Sequence, residues 1–207
     1  MKKKVILEED VVKASKSYKF ILIDDSAVIT PAARDKAREL GVEFRSSLQP
    51  MSVKKPLLND IFPVKVVGIG ADHGGYELKE ILIPFIREMN LIVHDFGTHS
   101  KESCDYPDFA LAVALAVSEH KADRGIMIDS VGIGSAMAAN RVNGVLAAKC
   151  NNTFEARSAR EHNYANYLTM GSKVIGEEIA KEIVKVFLET PGGAERHQKR
   201  IQTILNL

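Results

Sequence analysis

The sequence predicts an α/β fold: a Rossmann-like three-layer sandwich on a five-stranded parallel sheet, preceded by a small α/β extension. Two observations carry that prediction. From Val64 onward, short apolar runs rich in β-branched residues alternate with longer helical patterns. Strands that alternate with helices pair in parallel, with helices covering both faces. The second observation is the stretch 124–141. There Ile126-Met-Ile128 reads as a buried strand ending at Asp129-Ser130, Gly132 and Gly134 bracket a tight loop, and residues 135–140 open a helix. Such a junction makes an anion cradle, because glycines let the backbone approach a ligand and N–H groups at a helix start lack intrahelical acceptors.

Each element has its own local reason. In the extension, 1–45, residues 8–15 suit a short helix and 20–23 a strand ended by Asp24-Asp25. Thr30-Pro31 starts a second helix, with Thr as N-cap and Pro in the first helical position. That helix runs over 32–40 to a Gly41 C-cap, and 42–44 make another short strand. Residues 46–62, with Pro50, Pro56 and a Lys54-Lys55 pair, read as a linker. The main domain spans 63–207. Its strands are expected at 64–69, 91–93, 126–128, 144–148 and 167–170. Its helices are expected at 76–87, after Gly74-Gly75, then at 105–120, 135–140, 153–161, 176–189 and, past the Pro191-Gly192-Gly193 break, 194–207. Ligands of open parallel sheets sit beyond the strand C-termini. That rule places Asp72-His73, Gly97-Thr98, residues 129–134 and Asn151-Asn152 on one rim.

Bulk properties exclude several classes. The 207 residues are 45% hydrophobic with a net charge of +1, so no global basic field recruits nucleic acid or an anionic membrane. No apolar run approaches transmembrane length. Cys104 and Cys150 lie far apart, without metal-ligand spacing, so no metal is expected and a reducing cytoplasm is the expected compartment. The loop reads G-x-G-x-x-M and lacks the third glycine of a dinucleotide fingerprint, so no organic cofactor is expected.

Polar residues cluster around the loop in sequence. Asp72-His73 at a strand end suits proton chemistry or hydroxyl binding, or else Asp72 caps a helix beside an exposed His. Tyr106 starts a helix, where it hydrogen-bonds a ligand or packs. His162-Asn163 can hold one substrate oxygen and shuttle its proton; a His there also suits the helix C-terminal dipole. Arg196 and Arg200, four apart, share a helix face and together suit a phosphate, or form a solvated basic end.

Seven motifs in order then resemble a known family. Gly70-Ala-Asp-His-Gly-Gly75, Asp95-Phe-Gly-Thr98, Asp105-Tyr-Pro107, Gly132-Ile-Gly134 with Ala138-Ala-Asn140, Ala159-Arg-Glu-His-Asn163, Gly171-Ser172 and Arg196-His197-x-x-Arg200 are similar to ribose-5-phosphate isomerase type B and the galactose-6-phosphate isomerase subunits. The resemblance implies a Rossmann-like fold and dimers or tetramers that share active sites, without metal or cofactor. It implies aldose–ketose isomerisation of a sugar phosphate through an enediolate, with ribose 5-phosphate to ribulose 5-phosphate foremost. Asp72 and His73 then contact the sugar or its phosphate. His162 with Asn163 opens the ring, and Arg196 and Arg200 hold the phosphate with Lys173 as a helper. Backbone N–H groups over 130–135, including those of Ser130, Gly132, Gly134 and Ser135, form the oxyanion hole.

The base departs from the family pattern. Asp129, Val131, Ser135 and Ala136 stand where relatives carry the Cys, Thr or Glu associated with that role. Either Asp129 is itself the base, or the chain is a weakly catalytic or partner-dependent sugar-phosphate subunit resembling galactose-6-phosphate isomerase A. The opening Glu8-Glu-Asp-Val11 and the Ile29-Thr-Pro-Ala-Ala-Arg34 stretch resemble N-terminal segments of bacterial microcompartment enzymes. That resemblance implies that the extension directs the enzyme to a microcompartment shell or its cargo.

Overall fold

The computed structural model describes residues 5–15, 20–23, 27–46 and 60–206. The chain divides into two compact units, Met1–Ser52 and Val53–Leu207. Most of the expected linker, 46–62, and Asp24-Asp25 lie outside the described residues.

The first unit holds β1 (Val5–Ile6), α1 (Glu8–Ser15), β2 (Phe20–Ile23), β3 (Val28–Ile29), α2 (Pro31–Leu40) and β4 (Glu43–Ser46). β1 pairs in parallel with β3, and β2 with β4. Ile6, Val11, Ala14, Ala33, Ala37 and Val42 form its small core. Thr30 caps α2, its hydroxyl accepting from the Ala33 amide at 3.3 Å and donating to the Ile6 carbonyl at 3.1 Å. Gly41 closes the helix in the left-handed region, φ 66°. The two-residue strands β1 and β3 are too short to leave a periodic signal, and the sequence did not reveal them.

The second unit holds β5 (Val66–Ala71), α3 (Tyr76–Glu88), β6 (Ile92–Asp95), α4 (Tyr106–Ser118), β7 (Arg124–Asp129) and α5 (Ile133–Ala139). It continues with β8 (Ala147–Lys149), α6 (Thr153–Asn163), β9 (Tyr167–Gly171), α7 (Glu177–Glu189) and α8 (Glu195–Leu205). All five strands pair in parallel in the order β6-β5-β7-β9-β8. β8 starts three residues later than expected, because Gly144 sits in a turn with φ 80°. Helices α3, α6 and α7 cover one face over a core that includes Ile69, Leu82, Ile86, Ile128, Leu168 and Phe187. Helices α4 and α5 cover the other. The alanine-rich α4 buries eight of its residues, which explains its lack of a polar stripe.

The strand order reverses direction at β5. Connections run outward to β6 on one side and to β7, β9 and β8 on the other. The crevice between β5 and β7 is therefore the topological switch point, where open parallel sheets hold their ligands. At the opposite edge, Asp60 is tied into the unit. Its carboxylate accepts from Arg124 Nη2 at 3.0 Å, from the Gly192 amide at 2.6 Å and from Arg160 Nη2.

Candidate active site

Asp72 and Asp129 follow directly from the switch point. Ala71 pairs with Ile128 across the β5–β7 ladder, so the next residue on each strand brings the two carboxylates to the same crevice. The Asp72 amide still bonds the Ile128 carbonyl at 3.1 Å. Both side chains are buried, at 6% and 7% exposure. The Asp72 carboxylate accepts from the Gly75 amide at 2.9 Å. Burial raises its pKa above the ordinary value, the Gly75 amide partly offsets this, and the Asp129 charge raises it further.

Asp129 is held differently. One oxygen accepts from the Val131 amide at 2.7 Å and from the Gly132 amide. The other accepts from the Ser135 amide at 3.3 Å and from the Ser135 hydroxyl. Gly132 makes this possible by taking φ 84°, which turns the loop back over the carboxylate. The loop was expected to offer the amides of 130–135 to a substrate oxyanion. Those of Val131, Gly132 and Ser135 are instead consumed by Asp129, because a carboxylate at the strand end reaches the loop it precedes. The amides of Ser130 and Gly134 have no acceptor among the described residues.

The rest of the rim packs around this loop. A side chain at Gly134 would place its Cβ 2.6 Å from the Tyr106 hydroxyl, so the Tyr106 ring lies directly on the glycine. His73 is exposed, and its Nδ1 lies 3.2 Å from the Cys104 carbonyl and 3.3 Å from the Cys104 amide, which leaves Nε2 directed elsewhere. Ser172 donates its hydroxyl to the Gly74 carbonyl at 2.7 Å, and the Lys173 amide donates to the Ser130 carbonyl at 3.1 Å. The β9 loop thus brings exposed Lys173 beside the β7 loop.

His162, Asn163, Arg196 and Arg200 lie elsewhere. Helix α6 starts at the rim, where Asn152 caps it through the Glu155 amide at 2.9 Å, and runs back along the sheet. Its last residue, Asn163, precedes Tyr167, which pairs with Gly125 at the start of β7. The 11-residue helix and the strands both span about 16 Å. One cluster therefore sits at each edge of the sheet, and no hydrogen bond or ion pair joins them among the described residues. In the second cluster the His162 ring stacks on His197, with centroids 4.6 Å apart and tilted by 33°. Ser158 lies 3.2 Å from His162 Nδ1, and Arg196 Nε donates to His197 Nε2 at 3.3 Å. Burial lowers the His197 pKa below the ordinary value, assisted by the charges of Arg196, His162 and Arg200. Arg196 and Arg200 line a shallow hollow with Glu195, Lys199 and Thr203.

Three contributors escaped sequence reasoning. The i,i+4 spacing of Ser158 and His162 was a usable signal. His197, beside Arg196, had no sequence feature placing it against His162. The role of Cys104 as the backbone anchor of His73 depends on the α4 approach and left no trace in the sequence.

Fold and site geometry together define a Rossmann-like α/β protein with two buried carboxylates at the sheet switch point. A family model described as Ribose/Galactose Isomerase matches residues 67–204, and the chain belongs to that family. Ribose-5-phosphate isomerase B of Escherichia coli K12 is 40% identical over 141 residues, covering 68% of this chain and 95% of that protein. The solved structure of Clostridium thermocellum ribose-5-phosphate isomerase B is 46% identical with a TM-score of 0.67, covering 68% of this chain and 95% of that one. A D-erythrulose-4-phosphate isomerase of Pectobacterium atrosepticum is 38% identical over 124 residues, covering 59% of this chain and 82% of that protein. Residues 1–66 precede the matched region.

Proposed function

We propose that this chain interconverts ribose 5-phosphate and ribulose 5-phosphate through an enediolate, in homodimers whose sites combine both clusters. The observation that carries the reading is the placement of Asp72 and Asp129 on adjacent strand ends at the switch point, in a chain of this family. Isomerisation needs a base at the sugar carbons, donors for the enediolate oxygens, a ring-opening acid/base and a phosphate anchor. The rim supplies the first two. Asp129 has both oxygens engaged by loop donors, so its lone pairs face the loop rather than a substrate carbon. Asp72, raised in pKa by burial and by Asp129, is the carboxylate suited to accept and return a proton. Ser130 and Gly134 amides, His73 and Tyr106 address the sugar oxygens.

The opposite edge supplies the rest. His162 with Asn163 opens the ring, and Arg196 with Arg200 holds the phosphate, with Lys173 of the rim assisting. The two halves lie a strand length apart in one chain, so a second copy related by two-fold symmetry must bring its His162 edge to this rim. Mixing tests this. Asp72→Asn and Arg196→Ala/Arg200→Ala chains, each inactive alone, are co-expressed and assayed with ribose 5-phosphate. Shared sites restore about one quarter of wild-type activity, since half the dimers are mixed and each carries one intact site. No recovery in verified mixed dimers overturns the shared site, and lack of turnover by wild type across pentose and tetrose phosphates overturns the isomerase reading.

The extension has a separate proposed role. It is compact in its own right, lies outside the family match and exposes Val5, Leu7 and Val28. We assign it to directing this cytoplasmic enzyme to a bacterial microcompartment shell or its cargo. Among the described residues no helix is long and apolar enough to cross a membrane. Deleting 1–52 is expected to retain turnover and abolish co-sedimentation with the shell; retained co-sedimentation counts against the assignment.

A further inference from the structure

Two buried arginines converge at the edge of the sheet that carries His162. Arg124, at the start of β7, and Arg160, inside α6, are 1% and 0% exposed. Arg160 also donates from Nε to the Thr190 carbonyl at 3.1 Å and from Nη1 to the Ala165 carbonyl. Arg124 donates to the carbonyls of Asp123 at 2.8 Å and Ile61 at 2.9 Å, and its Nε has no partner among the described residues. Asp60 is the carboxylate they share, and it also holds the Gly192 amide. Two of these attachments border the second cluster. Arg160 lies two residues before His162, and Gly192 opens the turn that leads into α8 with Arg196 and Arg200. Tyr164 closes the same corner by donating its hydroxyl to the Gly193 carbonyl.

We propose that Asp60 is a positioning residue for the phosphate-binding edge, a clamp that fixes the ends of α6 and α8 relative to each other. It precedes the residues matched by the family, so the connecting segment of this chain contributes to its own site. The physical reason is charge. Without Asp60, two buried guanidinium groups face each other with no shared counter-ion, and repulsion moves α6 and the Gly192 turn apart. The proposal rests on the assignment of Arg196 and Arg200 to the phosphate. Phosphate is held in ground state and transition state alike, so the clamp acts on KM more than on kcat.

The test uses the full-length chain. Asp60→Asn is expected to raise KM for ribose 5-phosphate and the inhibition constant of inorganic phosphate together, each about tenfold, with kcat within about threefold. Adding Arg124→Gln, which removes one of the two facing cations, is expected to return both constants toward wild type. A purely structural Asp60 lowers the melting temperature and leaves both constants in place, which overturns the proposal. A second measurement on wild type does not depend on a variant folding. By reciprocity of linkage, saturating inorganic phosphate must slow hydrogen exchange of the Gly192 amide if the clamp favours phosphate binding. Unchanged exchange overturns it. Turnover by wild type in the same assays reports on the isomerase reading separately, so turnover with unmoved constants rejects the clamp alone.

Discussion

At the scale of single residues, the two rim carboxylates make predictions of different size. Asp72→Asn is expected to lower kcat by about a thousandfold, the range for a lost general base, and Asp129→Asn by less. In Asp129→Asn the neighbouring charge is gone, so the acid limb of kcat/KM should move to lower pH; a limb that stays in place rejects Asp72 as the titrating group. Stability gives an independent sign. The folded pKa of Asp72 lies above the ordinary carboxylate value, so folding favours its protonated form. That stabilisation is complete below the unfolded pKa and is lost as pH rises through the folded one. The difference in melting temperature, Asp72→Asn minus wild type, should therefore become more positive between pH 4 and pH 7. The sequence was enough to single out Asp129 and Asp72. It did not reveal that Asp129 occupies its own loop, because those bonds reach two, three and six residues ahead and exist only once Gly132 turns left-handed.

At the scale of elements, prediction from sequence worked where periodicity and caps agreed. Helices α2, α6 and α7 fall within two residues of their expected bounds because Thr30, Asn152 and the Pro191 break punctuate them. What the pattern could not convey is which end of α6 reaches which edge of the sheet; that follows from the strand pairing of Gly125 with Tyr167. Two substitutions probe element packing. Gly134→Ala sets a methyl against the Tyr106 ring and should displace α4 from the α5 loop, raising KM for sugar phosphate while helix content by circular dichroism is retained. Thr30→Ala removes the α2 cap and should destabilise that helix by about 1 kcal/mol, read by hydrogen exchange of its amides.

At the scale of the whole molecule, the buried core and the assembly each give a readout. Burial raises both thiols, that of Cys150 up to about 12, but Cys104 is only half-buried and lies on the rim. Cys104 should react first with a thiol reagent at pH 8, and Cys150 only as fast as the domain opens. Reaction of Cys150 at the rate of Cys104 would contradict the packed sheet. If two chains complete each site, specific activity should also fall on dilution through the dimer dissociation constant.

If the chain pairs and its extension docks as proposed, the compact Met1–Ser52 unit has a consequence that becomes visible only in the assembly of two chains. A dimer displays the extension twice. A surface that presents repeated docking points then meets a bivalent ligand, and the second contact forms at the effective concentration set by the first. Each extension can bind weakly enough to exchange, while the pair is retained about a hundredfold or more longer through avidity. Retention would then depend on the enzyme being assembled, so monomers would be released from the surface and completed dimers kept.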